Sequence, residues 1–184
     1  IYKLLIGKIR HQTPGLYVDI GCAGPYQNSN TILLYLLGWS GIAVDPNPIF
    51  TDSYRVYRPE DTVINAAAGP ISKDVYFARH KRFEERGRVI DSVDTLSKDS
   101  DYAAPVPIPC LTLAEILERN LPAPDSEIDF LDIDAEGLDL EILKSNDWAR
   151  FQPRVICVEE HEVDVVKYLE SSIHEYLTSV NYTL

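Results

Sequence analysis

Acidic side chains gather in this sequence where short apolar runs end. Tyr17-Val18-Asp19-Ile20 runs into Gly21-Cys22-Ala23-Gly24, and Gly41-Ile42-Ala43-Val44 ends on Asp45. Thr62-Val63-Ile64 ends on Asn65, Ile128-Asp129-Phe130-Leu131-Asp132-Ile133 on Asp134-Ala135-Glu136-Gly137, and Arg154-Val155-Ile156-Cys157-Val158 on Glu159-Glu160-His161. Carboxylates so placed can accept paired hydrogen bonds from vicinal hydroxyls, take a proton from a nucleophile, or hold a divalent cation. A glycine turn answered about 20 residues later by an acid is the spacing with which a βαβ unit holds a nucleoside. Asp45 is the candidate ribose ligand. Asp19 is the candidate partner for an amino group, and the backbone of Gly21, Cys22 and Ala23, ahead of the first helix, for a carboxylate. Asn65 faces the adenine or closes a turn.

The turn lacks the third glycine of G-x-G-x-x-G. A dinucleotide pyrophosphate needs close backbone approach at several glycines. S-adenosylmethionine has no phosphate and tolerates a looser turn, so it is the expected cofactor, with a small-molecule hydroxyl as the methyl acceptor. Asp134, Glu136 and His161 are the candidate bases for the hydroxyl proton. One of the two acids is expected to cap the following helix. A metal reading would draw on Asp132, Asp134, Glu136 and His161, but no tight ligand spacing such as His-x-x-x-His appears, and no metal is assigned. Two alternatives are a nicotinamide-dependent oxidoreductase and a non-catalytic Rossmann-like binding module. The missing glycine and the lack of a hydride-transfer pair count against the first, and a blocked cleft would mark the second.

The elements that position these residues alternate. Strands are predicted over 16–20, 41–44, 62–66, 128–133 and 154–158, with an extra strand over 75–77 and an extended stretch over 106–110. Helices are predicted over 32–37, over 113–118 with Thr112 and Glu115 as a capping box, from Gly137 to Lys144, and over 163–180. The helix over 32–37 is apolar nearly all round and should be covered on most sides. Residues 1–15 read as a leading helix, 79–104 as a functional or mobile loop, and 182–184 as the start of a sixth strand. The alternation makes a single α/β domain over 1–184 with a mostly parallel sheet and helices on both faces, ligands binding beyond the carboxyl ends of the strands.

Bulk properties narrow the partners. With 29 acidic against 17 basic residues, the net charge of −12 argues against nucleic acid and anionic membrane surfaces. No apolar run reaches the roughly 18 residues a membrane span needs. Cys22, Cys110 and Cys157 sit in apolar, strand-like settings and read as reduced core cysteines of a cytoplasmic protein.

Three stretches together resemble a known family. Tyr17-Val18-Asp19-Ile20-Gly21 with Asn28-Ser29-Asn30-Thr31, then Gly38-Trp39-Ser40-Gly41-Ile42-Ala43-Val44-Asp45-Pro46-Asn47-Pro48, resemble FkbM-type methyltransferases. So do Ile128 to Gly137, Leu143-Lys144 leading to Asp147-Trp148, and Pro153 to Glu159. The resemblance implies a class I methyltransferase (Rossmann-like) fold, S-adenosylmethionine as cofactor, and O-methylation of a sugar, polyketide or related metabolite. It also implies cofactor roles for Asp19, Gly21 and Asp45, and matches Asp134 and Glu136 to the family's acidic motif.

Overall fold

The computed structural model describes residues 14–95, 101–160 and 168–183. The predicted leading helix falls outside them except for Pro14 and Gly15, which are coil, and His161 also lies outside. Five strands, β1 (Leu16–Ile20), β2 (Ser40–Asp45), β3 (Thr62–Asn65), β8 (Phe130–Ile133) and β9 (Val155–Val158), form one sheet in the order β3-β2-β1-β8-β9. Every neighbouring pair is parallel. The connection reverses direction between β1 and β8, and it is outside the carboxyl ends at such a switch point that open α/β sheets form their ligand crevice.

The period of two along each strand decides what covers each face. Val18, Ile20, Ile42, Val44, Leu131 and Ile133 point to one side, where they pack on α3 (Leu113–Asn120), α4 (Asp139–Lys144) and α5 (Ser172–Ser179) through Leu113, Ile116, Ile142 and Ile173. Thr112 opens α3 with the capping box its sequence predicts, its hydroxyl accepting from the Glu115 N–H at 3.2 Å. Tyr17 and Phe130 point to the other side, onto Leu34 of α1 (Ile32–Leu36), and Ala43 packs with Tyr54 of α2 (Pro48–Tyr57). Helices therefore flank both faces of a parallel sheet.

Several elements differ from the sequence reading. Pro46-Asn47-Pro48, read as a break, starts α2: the Asn47 side chain accepts from the Ile49 N–H and Pro48 occupies the first turn, where no N–H is needed. Only Leu34 of α1 is buried, whereas Leu36 stays 66% exposed, so the expected cover on most sides is not met among the described residues. Of the predicted loop over 79–104, residues 96–100 lie outside the described residues, and residues 79–95 are organised rather than structureless. A second sheet, in the order β4-β7-β5-β6, joins β4 (Ala67–Ala68), β5 (Lys73–Arg79), β6 (Gly87–Ile90) and β7 (Val106–Leu111). Gly87 makes the β5–β6 pairing possible, because a Cβ there would stand 2.1 Å from the Phe77 ring. Of the helix predicted over 163–180, residues 163–167 lie outside the described residues; Tyr168–Glu170 forms a 3₁₀ turn and α5 begins at Ser172, while Tyr182 and Thr183 lie in no strand.

One buried cation ties the α1–α2 face together. Arg58 and Asp61, just past α2, have fully buried side chains and pair at 2.8 Å. The guanidinium also donates to the Ser29 hydroxyl at 3.1 Å, the Tyr54 hydroxyl at 3.2 Å, the Thr31 hydroxyl at 2.9 Å and the Tyr17 hydroxyl. It lies over the rings of Tyr54, Tyr35 and Tyr17, at 4.5, 5.0 and 5.3 Å from their centroids. Asp61 in turn accepts from the Tyr17 hydroxyl and from the Gly41 N–H at the start of β2. Removing one member leaves a buried charge without its partner, which typically costs 3–5 kcal/mol. Arg58→Met is therefore expected to lose about 3–5 kcal/mol of unfolding free energy in urea titrations. A loss under about 1 kcal/mol would show that the ion pair does not anchor this face.

Candidate functional site

Parallel register brings polar groups into a row. Asp19 on β1 stands opposite Asp132 on β8, which stands opposite Cys157 on β9. All three share the face of Tyr17 and Phe130. Both acids are 2% exposed. The loop ahead of α1 supplies one donor to each: the Thr31 hydroxyl to Asp19 at 2.5 Å, and the Asn30 amide to Asp132 at 2.9 Å. Thr31 itself accepts from Arg58, so the buried guanidinium reaches Asp19 through one hydroxyl. Burial, and then the neighbouring Asp132 carboxyl, push Asp19 up to about 7. Asp132 is raised by burial, with the Asn30 amide pulling the other way. Burial and then Asp132 hold the Cys157 thiol up at about 12, so it stays protonated.

Two residues further on, the strand ends converge. Gly21 has φ +81°, and a Cβ there would come within 1.9 Å of the Asp134 carbonyl oxygen. This glycine is needed so that the ends of β1 and β8 can pass each other. The N–H groups of Gly21 and Cys22 both donate to the Val44 carbonyl, at 2.9 and 3.1 Å, and the Ala23 N–H donates to Asp45 at 3.1 Å. The three amides proposed for a cofactor carboxylate are thus turned to β2, and the Cys22 side chain is buried. Asp45 also accepts from the Asn47 N–H at 2.7 Å. Burial lifts its carboxyl to about 6 against the pull of those two amides. Asn65 donates to the Asp45 and Pro46 carbonyls, both at 3.0 Å, which is the turn-closing role.

Beyond β8, Asp134 is half-buried and Glu136 exposed. Neither caps the helix that follows, contrary to the expectation for one of them. Asp139 organises this turn, accepting from the Ala135 N–H at 2.9 Å and the Gly137 N–H at 3.0 Å. Glu136 is held at φ +53° and Ala23 at φ +47°. Such left-handed geometry is strained for residues of this kind and gathers at functional loops. Here it marks the two loops that flank the crevice between β1 and β8. Glu159 begins the segment after β9, where its N–H donates to the Ile133 carbonyl. Among the described residues, no three His, Cys, Asp or Glu side chains converge as metal ligands would, and no helix is long and apolar enough to cross a membrane. A separate cleft, lined by Tyr35, Leu36, Gly38, Trp39, Ser40 and Glu60, opens at the amino end of β2.

The site thus unites Asp19, Gly21, Ala23, Asp45, Asp134 and Glu136 at one end of the sheet. It adds Asn30, Thr31, Asp132 and Asp139, whose spacing carries no recognisable ligand motif. Asn30 and Thr31 stood in the sequence only as polar residues just ahead of an apolar helix and as part of the family-like run Asn28-Ser29-Asn30-Thr31, with no role attached.

The acid pair sets a pH dependence with a definite sign. Asp19 holds its proton in the folded chain up to about 7, against 3.8 as an isolated group. The folded state therefore binds more protons than the unfolded state between about pH 4 and pH 7, and stability falls as pH rises through that window, by about 1.4 kcal/mol per pH unit for one proton. Thermal and urea unfolding from pH 5 to 7.5 should show this decline. Asp19→Asn should make it shallower, most clearly between pH 6 and 7 where Asp45 has largely lost its proton, and be at least as stable as the parent chain at pH 7.5. Parallel profiles for both proteins would mean that the pair does not share a proton.

No curated protein and no solved structure gave a significant match to the chain. A comparison with protein families matched residues 19–184 to the methyltransferase FkbM domain. That span starts at the first acid of the row and takes in every strand end described above. On this match the chain belongs to the FkbM methyltransferase family.

Proposed function

We propose that this chain is an S-adenosylmethionine-dependent O-methyltransferase with a class I, Rossmann-like fold, acting on a hydroxyl of a sugar, polyketide or related small metabolite. The observation that carries the reading is Asp45. Its carboxylate ends β2, contacts the glycine turn through the Ala23 N–H, and has no cationic partner among the described residues. Two backbone donors leave lone pairs on both oxygens, as a ligand for two ribose hydroxyls requires. S-adenosylmethionine would supply an electrophilic methyl group, whose bond to sulfur breaks as the acceptor oxygen bonds to carbon. A neighbourhood of acidic side chains with no direct Lys or Arg partner among the described residues suits a sulfonium and an ammonium group. A pyrophosphate would bring its charge against a cluster of acidic side chains with no Lys or Arg among them, which disfavours the nicotinamide alternative.

In this reading Asp134 or Glu136 takes the proton released by the acceptor hydroxyl. Glu136 is the better placed of the two to meet a substrate from solvent, because it is exposed and held in a fixed left-handed turn. Positioning of the hydroxyl would supply much of the rate, with the base adding about 10²–10⁴-fold.

Calorimetric titration with S-adenosylhomocysteine tests the cofactor assignment. The parent chain should bind it and should not bind NAD. Asp45→Asn, which keeps an acceptor oxygen for the backbone, should weaken binding at least about tenfold through loss of charge-assisted bonds. Equal affinities in the two proteins would remove Asp45 from the ribose site.

A further inference from the structure

We infer that the β5–β6 hairpin tip recognises the methyl acceptor, and that the acceptor carries an anionic group, a carboxylate or a phosphate, held by Arg82 and Arg86. The inference rests on the methyltransferase reading above and adds a substrate class to it.

The first observation is charge. In a chain of net charge −12, residues 79–88 carry Arg79, Lys81, Arg82, Arg86 and Arg88 against two acids, Glu84 and Glu85. The second is pairing. Arg55, Arg58, Lys73, Arg119, Lys144, Arg150 and Arg154 each have a carboxylate partner, and Arg79 meets Glu84 at 3.8 Å. Among the described residues Arg82 and Arg86 contact no carboxylate. Both guanidiniums instead lie 5.2 Å from the centre of the Phe83 ring. An aromatic ring steadies a guanidinium without neutralising it. Two cations fixed around one ring in an acid-rich protein are suited to the bidentate recognition of carboxylate or phosphate oxygens.

The tip is also built to hold its shape. His80 Nδ1 accepts from the N–H groups of Arg82 and Phe83, both at 3.1 Å. The Arg86 N–H donates to the Phe83 carbonyl at 2.8 Å, and the His80 N–H to the Arg86 carbonyl at 2.9 Å. The His80 ring sits 5.1 Å from Phe83 and 5.3 Å from Tyr102.

Position links the tip to the proposed site. The Asn47 amide donates to the Glu84 carbonyl at 2.9 Å, while the Asn47 N–H donates to Asp45. One residue thus connects the hairpin to the acid at the end of β2. Among the described residues the ends of the parallel strands offer an anion no Lys or Arg, so its recognition falls to this exposed basic tip, which also steers it from solution.

Calorimetry on the intact chain tests the inference with inorganic pyrophosphate, glucuronate and glucose, each with and without saturating S-adenosylhomocysteine. Pyrophosphate or glucuronate should bind and glucose should not. Which of the two binds more tightly distinguishes a phosphate from a carboxylate acceptor. The double variant Arg82→Gln/Arg86→Gln should weaken that binding at least fivefold and leave S-adenosylhomocysteine affinity within twofold. Lys73→Gln, a charge loss elsewhere on β5, should change neither. The inference fails if neither anion binds, if the double variant binds them like the parent, if Lys73→Gln weakens them as much, or if pyrophosphate competes with S-adenosylhomocysteine. Absence of S-adenosylhomocysteine binding with anion binding intact would sink the methyl-donor reading instead, because the anion arms are read separately.

Discussion

A guanidinium removed from water has to be satisfied on every side, and Arg58 meets that demand by gathering the α1–α2 face around itself. It takes Asp61 as counter-ion, three tyrosine rings as walls, and the hydroxyls of Ser29, Thr31, Tyr17 and Tyr54 as acceptors. These partners come from β1, the α1 loop, α2 and the approach to β3, so one residue fixes their mutual positions. Replacing such a pair with apolar groups is often neutral for stability. What the ion pair adds here is orientation. Thr31 can aim its proton at Asp19 because Arg58 occupies its lone pair.

The row at the sheet's carboxyl end carries the opposite imbalance. Asp19 and Asp132 lie side by side, almost wholly shielded from solvent, Asp19 with the Thr31 hydroxyl as donor and Asp132 with the Asn30 amide and the Cys157 thiol. Burying carboxyls this way costs free energy unless they keep a proton or meet a cation. In the proposed function the cation is the methyl donor, whose binding would offset a cost that the chain otherwise meets by protonation. The strain at Ala23 and Glu136 is stored around the same crevice, on the two loops a ligand there would touch. The basic hairpin complements this arrangement. It places positive charge beside the acid-rich strand ends, and in the proposed function it would give donor and acceptor separate electrostatic addresses.

How far the sequence foretold this arrangement depends on the reach of each interaction. Strands β1, β2, β8 and β9 were legible because buried parallel strands are continuous apolar runs, and Asp45 and Asp134 because they end those runs. The boundary at Asp45 was legible, but Asn47-Pro48 looked like a stop when it was a helix start. Arg58 carried no sequence signal, since only tertiary packing brings Tyr17, Thr31 and Tyr54 around it. Strand β6 was hidden for a related reason: three of its four residues are exposed, and with Arg88 among them no alternation survives. Asp139 was overlooked because the acids nearer to β8 stood first in line to cap α4. Gly21 was read as a backbone donor to a cofactor carboxylate, whereas its N–H donates to the Val44 carbonyl and a side chain there would meet the Asp134 carbonyl.

The central claim is that a nucleoside cofactor occupies the crevice where β1, β2 and β8 end. A crystal structure of the complex with S-adenosylhomocysteine tests it most directly. The expected result is a ribose within hydrogen-bond distance of Asp45, with the amino-acid end beside the Gly21–Ala23 turn and the sulfur facing the Asp134–Glu136 loop. The ligand bound in the cleft at the amino end of β2, among Tyr35, Trp39 and Glu60, with Asp45 untouched, would contradict it.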